Sequence, residues 1–179
     1  MSLDKITSQL GAFTNVGAKI PPVELWDPPY CGEIGITIKD NGDWYLNNSI
    51  FKRMSLVKLF ASVIKKEGDH YFLVTPVEKI RIDVEQVPFV LTQWQWQDAE
   101  KTKMVVSTNV DDEFILNKDH PLTFDAQGEM YITVRRNLLA KVHRNVYYQW
   151  VEIGNEVETE KGTELIFSSA DAQFSLGVI

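Results

Sequence analysis

Short apolar runs, broken at close intervals by turn residues, set the limits on what this chain can fold into. From His70 to Phe124 the segments HYFLV, KIRIDVE, PFVLTQWQWQ, KMVVSTNV, EFILN and PLTF follow one another with only polar or turn-forming residues between them. Runs of this length with apolar residues at alternate positions are strands, because a pleated chain sends successive side chains to opposite faces. In PFVLTQWQWQ the alternation puts Thr92, Trp94 and Trp96 on one face and Gln93, Gln95 and Gln97 on the other. The helical patterns stand singly among these strands. That is the α+β arrangement, not the strand–helix alternation of α/β folds.

Three segments carry a helical period. Leu3, Ile6 and Leu10 predict a short N-terminal helix, capped by Ser2 and stopped at Gly11. In SLVKLFASVIKKEG, residues Leu56, Leu59, Phe60, Val63 and Ile64 form one apolar face, with Ser55 as N-cap, Lys65 and Lys66 in the last turn and Gly68 as the stop. In RNVYYQWVEIGN, Asn145 caps a short helix that turns Val146, Trp150 and Ile153 inward before Gly154. The segment IPPVELWDPPYCG holds two Pro-Pro pairs, so it is extended chain pinned by Trp26 and Tyr30. GEIGITIKDNGDWYLNN is a hairpin, with Ile34, Ile36 and Ile38 on one face and Asn41-Gly42 in the turn. NEVETEKG is expected to be a charged loop, and TELIF and AQFSLG two closing strands.

KRMSLVKLF and VHRNVYYQW superpose without a gap, each preceded by strands and followed by a polar loop and a strand. This predicts a duplicated unit. The expected organisation is an N-terminal helix and Pro-rich arm over 1–31, a first α+β half over 32–97 and a second over 98–179, with QDAEKTK as linker. Each half has one main helix on a mostly antiparallel sheet.

Composition narrows the function. The formal net charge of −7 disfavours broad nucleic-acid binding, which needs a basic surface. Cys31 is the only cysteine, so no internal disulfide forms. The first residues lack a basic segment followed by an unbroken apolar one, and no apolar run approaches the roughly 18 residues of a membrane span. A soluble cytoplasmic protein is expected. The phosphate loop, the dinucleotide GxGxxG and the GxSxG elbow are all missing, and His70, His120 and His143 lie far apart. The expectation is therefore no enzyme, no metal and no cofactor.

Cations beside helix starts are the more suggestive feature. Arg53 precedes one, His143 and Arg144 the other, and Arg135-Arg136 lie in the strand before the second. A helix start with nearby arginines is either an anion site or a place of surface ion pairing. In TPVEK, Pro76 ends a strand. Ile80, Ile82 and Val84 then share one face, and Glu78 falls on that same apolar parity if the strand starts that early. An inward carboxylate needs a partner: Thr75, Lys79 or an arginine of the other half. Otherwise Glu78 is solvated in a turn. The Trp94/Trp96 stripe is either sheet core or a stacking platform.

The segments CGEIGITI, DNGDWYLNNSIFKRMSLVKLFASVI, YFLVTPVEKIRIDVEQVPF, STNV, HPLTF and YITVRRNLLAKVHRNVYYQWVEIG together resemble a bacterial family catalogued as domain of unknown function 1285. The likeness runs from about Trp26 to Gly177 and is most specific at LVTPVEKIRI. The resemblance implies a duplicated α+β fold with a pleckstrin-homology-like C-terminal half, and binding of a nucleotide-like ligand between the halves in signal transduction. The expected function is a ligand-binding or sensor protein for a small anionic ligand. Its candidate residues are Trp44 as a stacking surface, Arg53, Thr75, Glu78 and Lys79 from the first half, and Asn109 and Arg135 from the second. The alternative is a protein–protein interaction module without a small ligand.

Overall fold

The computed structural model describes residues 2–14 and 20–179, of residues 12–14 the backbone alone. The stretch 15–19 of the N-terminal arm lies outside the described residues. The chain divides into two compact units, Met1–Pro88 and Phe89–Ile179.

The first unit holds helix α1 (Leu3–Thr14), a 3-10 turn (Val23–Leu25), strands β1 (Tyr30–Ile38), β2 (Trp44–Leu46) and β3 (Ser49–Ile50), helix α2 (Met54–Ala61), and strands β4 (Ile64–Glu67), β5 (His70–Val74) and β6 (Lys79–Val84). The sheet order is β3-β2-β1-β6-β5-β4. Two antiparallel three-strand meanders meet through a central parallel pair, β1 with β6. Ile36, Ile38, Trp44, Leu73 and Ile80 of the sheet, Ile6 and Leu10 of α1 and Phe60 of α2 form the core, each with at most 2% exposure.

Two helices differ from the sequence expectation. α1 runs through Gly11 to Thr14. α2 begins after Arg53, not Ser55, and ends at Ala61. Residues 64–67 are strand instead, because Ile64, Lys65, Lys66 and Glu67 pair with Leu73, Phe72, Tyr71 and His70. The turn there is the two-residue Gly68-Asp69, with Gly68 at φ 58. Positive φ at the first position alone suits a glycine-led hairpin.

The second unit holds β7 (Phe89–Trp96), β8 (Met104–Thr108), β9 (Glu113–Ile115), β10 (Leu122–Phe124), β11 (Met130–Arg135), β12 (Leu138–Val142), helix α3 (Arg144–Ile153), and β13 (Asn155–Thr159), β14 (Gly162–Ser169) and β15 (Ala172–Val178). Strands β7 to β12 form a sheet in the order β10-β11-β12-β7-β8-β9, again two meanders joined by a parallel pair, β7 with β12. β13-β14-β15 is a separate antiparallel sheet. Trp150 of α3 is fully buried against Phe167, at 5.0 Å between ring centroids. Ser169, also fully buried, fastens the small sheet to the large one: its Oγ accepts from the Met104 N–H at 2.8 Å and donates to Leu116 O at 2.7 Å.

The strands–helix–strands order around α2 recurs around α3, as the repeat predicts. The sheets use it differently: both meanders flanking α2 share one sheet, whereas β10–β12 join β7–β9 and β13–β15 stand apart. Four further expectations are corrected. The division falls after Pro88, not Gln97, because β7 pairs with β8 and β12. QDAEKTK is no linker but the β7–β8 turn, in which the Asp98 carboxylate accepts from the N–H groups of Thr102 and Lys103 at 2.8 and 3.0 Å. NEVET is strand β13 rather than loop, and His143, not Asn145, caps α3, its ring accepting from Asn145 N–H.

Candidate functional site

Thr75 closes β5 and organises the turn after it. Its N–H donates to Glu78 O at 2.8 Å. Its Oγ1 accepts from the N–H groups of Glu78 and Val77 at 3.0 and 3.3 Å and donates to Gln9 Oε1 on α1 at 2.8 Å. Pro76 sits inside this turn, where no ladder N–H is needed. β6 starts at Lys79, so Glu78 belongs to the turn and not to the strand, and it is buried all the same, 6% exposed. Its partner is Lys5 of α1, with Nζ 2.6 Å from Oε1. The Lys5 hydrogen bond holds the Glu78 carboxyl below its ordinary pKa against the opposing effect of burial. Oε2 is buried without a well-formed hydrogen bond, although the Gln9 amide is near enough to add to the lowering. Lys79 faces the other way, pairing with Glu67 Oε2 at 2.9 Å and covering the Phe72 ring at 5.1 Å. Thr75 and Glu78 thus hold α1 onto the sheet.

The β8–β9 turn repeats this chemistry. Thr108, 3% exposed, donates its N–H to Asp112 O at 2.9 Å, and its Oγ1 accepts from the N–H groups of Asp112 and Val110 at 3.2 and 3.4 Å. Asn109 brackets Val90, its N–H donating to Val90 O and its Oδ1 accepting from Val90 N–H, both at 2.9 Å. The match is visible in sequence, Thr75-Pro76-Val77-Glu78 against Thr108-Asn109-Val110-Asp111, and reading for Thr-x-Val-acid would have found it.

A cleft of about 300 Å³ opens at this second turn. Thr92, Gln93 and Ser107 line it from β7 and β8, and Thr108, Asn109, Asp111 and Glu113 from the turn and β9. The register of β7 against β8 shifts between Leu91 and Gln93, so Thr92 is the extra residue of a bulge at the cleft. Among the described residues the lining offers hydroxyls, amides and two carboxylates, and no cation.

Asn109 is the one sequence candidate that lines this cleft. Trp44 is 2% exposed and packs edge-on to Phe51 at 6.3 Å, so it is core and no stacking surface. Arg53 is the exposed residue before α2 and makes no capping side-chain bond. Arg135 is largely buried, with Nη1 2.5 Å from Asp112 Oδ2 and its guanidinium over the Phe89 ring at 4.8 Å. Trp94 and Trp96 are half-buried and edge-on to each other at 5.7 Å, with Trp94 Nε1 donating to Gln149 Oε1 of α3 at 2.8 Å. Cys31 is half-buried, its Sγ 3.1 Å from Pro29 O. Among the described residues no group of three or more His, Cys, Asp or Glu side chains could hold a metal ion, and no helix is long and apolar enough to cross a membrane.

Two family models match in tandem: "Domain of unknown function (DUF1285), N-terminal domain" over residues 21–87 and "Protein of unknown function (DUF1285), C-terminal domain" over residues 88–176. Their junction falls at the division between the two units. No curated protein matches the chain. The crystal structure of a DUF1285 family protein from Silicibacter pomeroyi DSS-3 is similar at 28% identity and a TM-score of 0.79, over 96% of this chain and 95% of that one. A second, from Shewanella baltica OS155, is 27% identical with a TM-score of 0.57, over 68% of this chain and 94% of that one. With both of its units matched in order, the chain belongs to the DUF1285 family.

Proposed function

We propose that the protein is a non-catalytic, cytoplasmic ligand-binding or sensor protein acting in signalling, and that its ligand occupies the cleft at the Thr108 turn. The polar lining of that cleft carries the reading. At about 300 Å³ it stands at the small end of the range for ligand sites. Carboxylates accept from ligand hydroxyls, as acidic residues do from ribose, while the amides and hydroxyls both give and accept. The ligand is read as nucleotide-like, held by its sugar. Its anionic phosphate points away from Asp111 and Glu113, which would repel it. The pleckstrin-homology likeness of the second unit belongs to the same reading, supported by the order of an antiparallel-rich sheet and then a helix, β7–β12 and α3.

The test is a thermal-shift and calorimetric series with adenosine, adenosine monophosphate and inorganic phosphate. Nucleoside and nucleotide should stabilise the protein and phosphate alone should not. Asp111→Asn combined with Glu113→Gln should remove the effect. Asn tolerates the φ of 64 at position 111, so the fold should survive. No shift from adenosine or the nucleotide at about millimolar concentration, or equal shifts in the double variant, would refute the reading.

A further inference from the structure

Among the described residues, β15 is the last strand of its sheet and pairs with β14 alone. Its sequence, AQFSLGV, contains no charged residue and no proline. Strand edges usually carry such a residue, because their outward N–H and C=O groups are a template for another strand. A bulge displaces the register before Val178, so the regular open edge is Ala172–Ser175. The edge strand β10 is guarded by contrast, being three residues long and preceded by Pro121.

A cleft of about 560 Å³ lies between β10 and β15. Leu122, Phe124, Phe174 and Val178 supply its apolar surface. Phe124 and Val178 are 44% and 58% exposed, so the surface is only partly covered by the protein's own chain. Lys118 and Lys161 stand in the same lining. Lys118 meets Asp171 at 3.5 Å with both side chains more than half exposed, a pair too solvated to neutralise it strongly. Among the described lining residues the one carboxylate, Glu164, accepts from the Ser175 hydroxyl at 2.7 Å. On a chain of net charge −7, two lysines over an apolar floor complement an acidic and apolar occupant.

We propose that β15 takes up an extended acidic peptide by strand addition. The peptide backbone pairs with Ala172–Ser175, its alternate apolar side chains enter the cleft, and its carboxylates meet Lys118 and Lys161. Backbone pairing supplies register and side-chain pockets supply selectivity.

The probe is a fluorescein-labelled hexapeptide of alternating valine and glutamate, followed by anisotropy. It is set against a valine–lysine hexapeptide and against the same acidic peptide N-methylated at alternate residues. The acidic peptide should bind saturably, and N-methylation should weaken it at least about tenfold. Lys118→Glu with Lys161→Glu, both at exposed positions, should weaken it by a similar factor and reverse the preference toward the lysine peptide. Hydrogen exchange should slow at residues 172–175 on binding. The proposal is overturned by no saturable binding up to about 1 mM, or by equal binding of the N-methylated probe. It is equally overturned by sedimentation showing that a second copy of the chain, dissociated by the double lysine variant, already covers this edge.

Discussion

Replacing Thr75 with valine tests whether a single hydroxyl organises the β5–β6 turn and holds α1. The substitution keeps the branched shape of a side chain that is 1% exposed and removes three hydrogen bonds. Those to Glu78 N–H at 3.0 Å and Gln9 Oε1 at 2.8 Å are well formed, and that to Val77 N–H at 3.3 Å is weaker. At about 1 kcal/mol for each good bond and half that for the long one, the loss is roughly 2.5 kcal/mol. The added methyl recovers up to about 0.8 kcal/mol through its burial, leaving a net cost near 2 kcal/mol. With a urea m-value of about 1–3 kcal/mol/M, the unfolding midpoint should drop by about 1 M with m unchanged. Thr75→Ser keeps the oxygen and gives up only a buried methyl, so it should cost about 1 kcal/mol. Amide exchange should quicken in α1 for the valine variant and not for the serine one. If valine lies within about 0.5 kcal/mol of wild type, or is milder than serine, the hydroxyl does not organise the turn and the argument fails.

Two further outcomes follow from titrating groups. Glu78 is held below its ordinary value of 4.5 by Lys5. Its contribution to stability is therefore complete above that value and lost as pH falls through the lower folded one. Denaturation midpoints measured from pH 6 down to about pH 2 should fall less steeply for Glu78→Gln than for wild type, and parallel curves would contradict the pairing. Tyr131 is pushed up to about 12, first by burial and then by its hydrogen bond to Asp125. The fold favours the neutral phenol, so its contribution is complete below the ordinary value of 10.0 and lost as pH rises through about 12. Tyr131→Phe should cost about 1 kcal/mol at neutral pH and remove one late-titrating phenol from the ultraviolet titration.

The sheets were legible because period two is a local property, and it placed Ile36, Ile38, Ile80 and Ile82 inside. β4 was not. Val63 and Ile64 extend the helical phase of α2 as well as they start a strand, and only pairing with His70–Val74 decides between them. The burial of Glu78 comes from the turn and not from strand parity, since β6 starts only at Lys79, and its partner came from 73 residues away, a separation no window spans. One clue lay nearer: Lys5 and Gln9 are four apart and so share a side of α1. The burial of Trp44 was not legible either: a two-residue Asn41-Gly42 turn sets it opposite Lys39, whereas the observed register sets it opposite Ile38, and cross-strand partners share a face. Polarity misled at QDAEKTK, where a charged hairpin turn has a linker's composition.

The two Thr-led turns explain why one is filled and the other lines a cleft. Thr75 N–H reaches Glu78 O, three residues on, whereas Thr108 N–H reaches Asp112 O, four residues on. That inserted residue separates two duties that Glu78 alone would otherwise combine. Asp112 takes the structural one: it closes the turn and pairs with the largely buried Arg135, as Glu78 closes its turn and pairs with Lys5. Asp111, carried into the left-handed region at φ 64, faces the cleft with Glu113. A substitution at Asp112 therefore perturbs the fold first, since breaking a buried ion pair strands its partner. A substitution at Asp111 alters the cleft and leaves the turn's backbone bonds in place. The acid that aligns with Glu78 by sequence is thus not the one that replaces it in structure, and the cleft owes its two carboxylates to that one-residue difference.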